Sequence, residues 1–117
     1  LNTKPIIQSV KKTRKLIVFE TGSKIYGIGA EIVASILEKY HNIFDSPPSR
    51  IGLPDSPTPS TRGLAKVYYP NSIDIMKVII KKLNLNVEEK KKIINLLKSK
   101  LPSHEIDVPN PKFKGPF

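Results

Sequence analysis

Cysteine is absent from this 117-residue chain, and no apolar run approaches the length of a membrane-spanning helix. Without cysteine the chain can form neither a disulfide nor a thiolate metal site, so packing alone has to stabilise it. The longest apolar runs, such as residues 16–19, fall far short of the roughly 20 residues that a spanning helix needs. Pro5 and the basic cluster at 11–15 interrupt any secretory signal. These features predict a protein that is neither secreted nor in a membrane, and they permit the cytoplasm or an organellar matrix.

Groups typical of catalysis are also scarce. The two histidines, His41 and His104, do not belong to a recognisable metal motif, and the chain has no G-x-S-x-G nucleophile elbow. A weak phosphate-binding turn begins at Gly27 and Gly29, before a predicted helix. The third glycine of the dinucleotide motif is missing, however, and Glu31 would repel a phosphate. We interpret the two glycines as structural residues that let the helix approach a strand, and we predict no catalytic, cofactor-binding or metal residue.

The charge balance is strongly basic, with 20 Lys and Arg against 10 Asp and Glu and a net charge of +10. Such a charge attracts nucleic acid, anionic membrane or an acidic partner. Most of the basic residues stand beside apolar residues at helical spacing, which is typical of solvated helix faces. Because no aromatic residues interleave with them and no known motif is present, a nucleic-acid-binding module is the least favoured functional alternative.

The first half of the chain has the pattern of a βα unit. A helix is predicted from about residue 3 to 12, capped by Asn2. The apolar run at 16–20 predicts a buried strand, and apolar residues at helical spacing over 29–40 predict a second helix. Strand, glycine turn and helix therefore follow one another.

A second strand is predicted at 50–53, followed by a stiff loop that contains Asp55, Pro57 and Pro59. Binding and catalytic residues are often located in loops that follow the strands of α/β folds, which makes Asp55 a candidate functional residue. An aspartate in such a loop more often accepts backbone hydrogen bonds that hold the turn. We therefore interpret Asp55, Pro57 and Pro59 as structural loop residues.

Two further helices are predicted in the second half. Asn71 or Ser72 begins the first, and Asn86 with Glu89 forms a capping box for the second, over 87–101. The proline-rich tail at 103–117 is expected to dock as an extended segment, with a disordered tail as the alternative. The element order predicts an α/β fold, with a domain over 1–85 and a C-terminal extension over 86–117.

Several short segments match one known family in order. They are residues 6–13, 16–20, the G-x-G-A-E-I helix start at 27–32, Phe44-Asp45-Ser46-Pro47, Arg50, 55–59, Tyr69-Pro70 and Asp74-Ile75. This ordered set resembles the C-terminal, transketolase-like domain of the β subunit of thiamin-diphosphate-dependent 2-oxo acid dehydrogenases, which act on pyruvate, branched-chain 2-oxo acids or acetoin.

The resemblance implies a three-layer α/β fold with a mostly parallel sheet that lacks the family's first strand. It implies that thiamin diphosphate and magnesium bind elsewhere in the full enzyme, with no cofactor in this domain and no catalysis by this domain alone. The family's β subunit pairs with an α subunit and a second β subunit in a heterotetramer. The expected function is therefore that of an assembly and docking domain in a pyruvate dehydrogenase-like first component.

The resemblance also suggests where a lipoyl acyltransferase would dock. In the family, its basic subunit-binding domain contacts an acidic residue that matches Asp45 and the subunit's C-terminal carboxylate. Asp45 is retained, but the carboxylate is not retained at the family's position, because the family usually ends near Leu85 and this chain continues to Phe117, the second expected docking residue. The net charge of +10 opposes docking of a basic partner. The altered C-terminus makes a thiamin-dependent decarboxylase or acyloin-forming enzyme that works without an acyltransferase the main alternative.

Overall fold

Helices and strands follow one another along the part of the chain that this computed structural model describes, residues 1–101, 112 and 114. The order is α1 (Lys4–Thr13), β1 (Ile17–Ser23), α2 (Ile28–Leu37), β2 (Ser49–Leu53), α3 (Arg62–Tyr68), α4 (Ser72–Leu83) and α5 (Val87–Lys100). No helix in these residues is long and apolar enough to cross a membrane. The predicted α/β class is confirmed.

The sheet of the described residues consists of β1 and β2, which run parallel. Ile17 stands opposite Ser49 and Phe19 opposite Ile51, and the register then shifts before Ser23 reaches Leu53. Parallel neighbours need a crossover, and α2 supplies it. The βα unit predicted from the switch in periodicity is therefore present.

Different helices cover the two faces of β1. Side chains alternate between the faces of a strand, so Val18 and Glu20 point to one face and Ile17 to the other. Val18 and Glu20 lie against Gly29 of α2, whereas Ile17 lines a small cavity with Ile79 of α4. Helix, sheet and helix thus form three layers.

The main core lies between α1, α2 and the segment that leads to β2. It consists of the buried residues Ile7, Val10, Ile36 and Ile43. Ile7 and Val10 are three positions apart on α1 and therefore share one helix face. This packing fixes α1 beside the end of α2, where the candidate site lies.

The predicted helix starts agree best where a capping box is present. Asn71 and Asn86 each accept the N3 backbone N–H, and Asp74 and Glu89 each accept the N-cap N–H in return. The predicted cap of α1 is also present, because the side chain of Asn2 accepts the N–H of Lys4 at 3.2 Å, and Thr3, just before the helix, already has helical backbone angles. The second helix ends earlier than predicted, at Leu37, and the N–H of Lys39 donates to the carbonyl of Ile36, three residues back, instead of to residue 35 as in an α-helix.

Helix α3 was not predicted. It is seven residues long and has no buried residue, with Val67 82% exposed. A helix without a buried face has no apolar stripe to read from the sequence. Helix α5 does have one, and its half-buried residues Ile94 and Leu97 lie on the helix that packs on α4. The tail predicted at 103–117 lies outside the described residues, apart from positions 112 and 114.

Candidate partner-docking site

Asp45 lies in the connection between α2 and β2, and it is joined to the end of α1. Its backbone N–H donates to the carbonyl of Arg14 at 3.0 Å. The Nε of Arg14 donates to Asp45 Oδ1, and its Nη2 donates to the carbonyl of Asn42 at 3.1 Å. Arg14 ends α1 in the left-handed conformation, with φ 54°. The carboxylate of Asp45 is 51% exposed, so a partner could reach it only in competition with Arg14.

Three lysines surround a cavity of about 480 Å³ next to Asp45. We call this cavity the lysine cleft; its lining includes Lys15, Asp45, Ser46, Ser49, Lys81 and Lys82. Lys82 Nζ donates to Ser46 Oγ at 3.2 Å and to the carbonyl of Pro47. Burial lowers the pKa of Lys82, and the charges of Lys15 and Lys81 lower it further. The surroundings of Asp45 are therefore cationic.

The glycine turn before α2 is closed by a carboxylate from β1. The N–H of Gly29 donates to Glu20 Oε2 at 3.1 Å. A Cβ at Gly29 would lie 2.7 Å from Glu20 Oε1 and 3.1 Å from Val18 Cγ1, and a Cβ at Gly27 would overlap Glu20 and the carbonyl of Ser23. The helix approaches the strand this closely because both positions lack a side chain.

This turn does not fit the diphosphate of a thiamin cofactor. The Glu20 carboxylate takes the backbone donor that a phosphate oxygen would need, and its negative charge repels a second anion. Among the described residues, no group of three His, Asp or Glu side chains is arranged to hold a magnesium ion.

Backbone carbonyls of the proline-rich loop after β2 accept hydrogen bonds from within the loop and from α3. Ser56 N–H donates to the carbonyl of Pro54 at 2.9 Å, and Tyr68 Oη donates to the carbonyl of Ser56 at 3.0 Å. Asp55 is exposed, and its side chain accepts no hydrogen bond from the described residues. Pro57 and Pro59 line a cavity of about 270 Å³ under α3. The structural role of Asp55 stays a prediction.

An exposed apolar segment follows β1. We call it the apolar turn; it consists of Ile25, Tyr26 and Ile28, of which Tyr26 is fully exposed. Tyr26 also has a left-handed backbone, with φ 57°. Adjacent exposed apolar residues of this size are typical of surfaces that contact a partner.

Sequence reasoning missed the groups that surround the candidate residues. Arg14 and Lys15 belong to a basic cluster that was interpreted as a solvated helix end, and Glu20 as the end of a strand. A charged residue that closes an apolar strand just before a glycine turn is the signal that could have identified Glu20. Phe117, the second predicted docking residue, lies outside the described residues, so its role stays a prediction.

Comparison with known proteins agrees with this architecture. Residues 1–75 match the model of the family described as "Transketolase, C-terminal domain". The chain is similar to the protein named "Pyruvate dehydrogenase E1 component subunit beta, mitochondrial" of Saccharomyces cerevisiae, with 36% identity over 86 residues, 73% of this chain and 24% of that protein. The protein of the same name in Chaetomium thermophilum is 39% identical over 70 residues, 60% of this chain and 18% of that protein.

A third relative, "Pyruvate dehydrogenase E1 component subunit beta" of Gracilaria tenuistipitata var. liui, is 44% identical over 75 residues, 62% of this chain and 23% of that protein. The chain thus spans about a quarter or less of the length of these relatives. Because the family model covers well over half of the chain, the chain belongs to the transketolase C-terminal domain family.

Proposed function

We propose that this chain is a non-catalytic assembly and partner-docking domain of the β subunit of a pyruvate dehydrogenase-like first component. The three relatives described above are named as β subunits of pyruvate dehydrogenase, which supports this assignment. In this proposal thiamin diphosphate and magnesium bind elsewhere in the enzyme. The α subunit and a second β subunit are the assembly partners, in the cytoplasm or an organellar matrix.

The apolar turn is the observation that carries the assembly role. Full burial of one large apolar side chain contributes about 1.5–3 kcal/mol, so its three residues could contribute several kcal/mol to an interface. The left-handed backbone of Tyr26 costs roughly 1–3 kcal/mol, which no burial of its side chain within the described residues offsets. Contact with another subunit would bury the ring and offset that strain.

The assembly role is tested by co-expression with the α subunit from the same genome. We expect the Tyr26→Ser, Ile28→Ser double variant to lose heterotetramer, measured by sedimentation velocity, because it removes most of the apolar turn. Val67→Ser is the matched control, since Val67 is 82% exposed on α3, outside the apolar turn. Equal assembly of the double variant and the control would contradict the proposal.

Docking of a basic acyltransferase domain at Asp45 is the finer part of the proposal. Its half-exposed carboxylate is accessible, but Arg14 already binds it and the lysine cleft lies beside it. This arrangement favours the second candidate, a thiamin-dependent decarboxylase or acyloin-forming enzyme that works without a lipoyl acyltransferase. The two candidates differ in whether a basic partner binds here at all.

Calorimetric titration with a basic subunit-binding domain separates these candidates. Docking at Asp45 predicts binding that Asp45→Asn weakens at least about tenfold, because charge-assisted hydrogen bonds at an interface contribute strongly. Arg14→Gln should strengthen the binding, since it frees the carboxylate. Asp55→Asn, at another exposed aspartate, is the control. Absence of binding to the unmodified chain would favour the second candidate.

A further inference from the structure

The lysine cleft has the volume of a small-molecule site. Its volume of about 480 Å³ lies within the range of roughly 300–1,000 Å³ that is usual for such sites. The residues that line it come from three separate parts of the chain: the segment after α1, the connection that leads to β2, and the end of α4. Tertiary packing has therefore brought its charges together.

The described residues do not balance the positive charge of the cleft. Among residues 1–101 no carboxylate forms an ion pair with Lys15, Lys81 or Lys82. Asp45, the one acidic residue among the described residues that line the cleft, is bound by Arg14. The lowered pKa of Lys82 reflects burial and then repulsion from the other two lysines. A bound anion would offset the repulsion between the three lysines.

The donors of the cleft suit a phosphate better than a carboxylate. The cleft offers three lysines, which bind phosphate as compact point charges, whereas Arg14 is already bound to Asp45. A phosphate group has a larger negative charge and three acceptor oxygens, against two on a carboxylate, so it can accept from more of these donors. Ser46 Oγ accepts from Lys82, which leaves its own hydrogen available to donate to an anion. We propose that the lysine cleft binds the phosphate group of a small soluble ligand, through the ammonium groups of Lys15, Lys81 and Lys82 and the hydroxyl of Ser46.

Calorimetric titration of the full 117-residue chain with pyrophosphate, at constant ionic strength, tests this proposal. We expect saturable binding that Lys81→Gln and Lys82→Gln each weaken by at least about tenfold, because each removes a charge-assisted hydrogen bond. Lys91→Gln is the matched control, because Lys91 is exposed on α5 and does not line the cleft. It should change the affinity by less than about twofold.

Each of these variants removes one positive charge, so diffuse attraction by the net charge of +10 is reduced equally in all of them. Equal weakening in Lys81→Gln and Lys91→Gln, or no saturable binding to the unmodified chain, would overturn the proposal. The proposal would also be overturned if a short glutamate-rich peptide bound more tightly than pyrophosphate. That result would assign the cleft to an acidic protein segment. Circular dichroism verifies that each variant is folded. Anion binding is measured on the chain alone, so its outcome is independent of subunit assembly.

Discussion

Glu20 has two carboxylate oxygens in different situations. Oε2 accepts the N–H of Gly29 at 3.1 Å, whereas Oε1 is buried and has no hydrogen-bond partner among the described residues. A buried polar atom without a partner costs roughly 1–3 kcal/mol. The turn between β1 and α2 therefore already carries an energetic cost, and it has little tolerance for further crowding.

Gly29→Ala should destabilise the chain by about 1–3 kcal/mol, because overpacking at a close helix-to-strand contact has costs of this size. The added Cβ would lie 2.7 Å from Glu20 Oε1. Gly22→Ala is the control, since a Cβ at Gly22 meets nothing within 4 Å. Urea unfolding measures both free energies, and equal values for the two variants would show that the contact with Glu20 does not matter.

Lys82 should make stability depend on pH in the alkaline range. Burial, and then Lys15 and Lys81, lower the pKa of Lys82 below its usual 10.5. Below the lowered pKa, Lys82 is protonated in both the folded and the unfolded chain. Burial of its charge then destabilises the folded chain by the full amount. Between the lowered pKa and 10.5 the unfolded chain binds more protons, so the free energy of unfolding rises with pH.

We therefore expect Lys82→Met to lack this rise when unfolding free energies are measured from pH 8 to pH 11. Lys91→Met should keep it, because no comparable burial affects that exposed side chain. The comparison is made between variants, since other groups titrate in the same range. Parallel curves for the unmodified chain and Lys82→Met would contradict the assigned cause.

At the scale of elements, capping decides where the last two helices begin. In α5 the side chain of Asn86 accepts the N–H of Glu89 at 2.8 Å, and Glu89 Oε2 accepts the N–H of Asn86 at 3.0 Å. These partners are three residues apart, so the sequence alone could predict them. Helix α3 has no side-chain cap and no buried residue, and its sequence accordingly held no signal.

Asn86→Ala should destabilise the chain by about 1 kcal/mol, the usual cost of losing an N-cap side chain. Thr61→Ala should have an effect near zero, because Thr61 is the N-cap of α3 but its side chain makes no capping hydrogen bond. Urea unfolding compares the two. A cost at Thr61 as large as at Asn86 would show that the capping box is not the cause.

At the scale of the whole molecule, we predict that the segment after α5 docks onto the protein. The extended tail at 103–117 is expected to lie in a groove of its own subunit or of a neighbour. Deleting it should lower the melting temperature or reduce subunit association, because docked apolar residues and prolines would be lost. The control is a variant in which the order of the tail residues is scrambled, because it keeps the length and the charge of the tail. If neither measurement changes, a disordered tail is the interpretation that remains.

Local patterns in the sequence were sufficient for the α/β class, the order of β1, α2 and β2, the helix start at Asn71 or Ser72, and the capping box at Asn86. Each depends on residues that are close in the chain, and hydrogen bonds and periodicity over such distances can be read directly. Only the tertiary structure decided the surroundings of Asp45. Its partner Arg14 is 31 positions away, and the lysine cleft joins the segment after α1 to the end of α4. The order of charges along the chain does not say which distant charges become neighbours. That depends on how the helices pack.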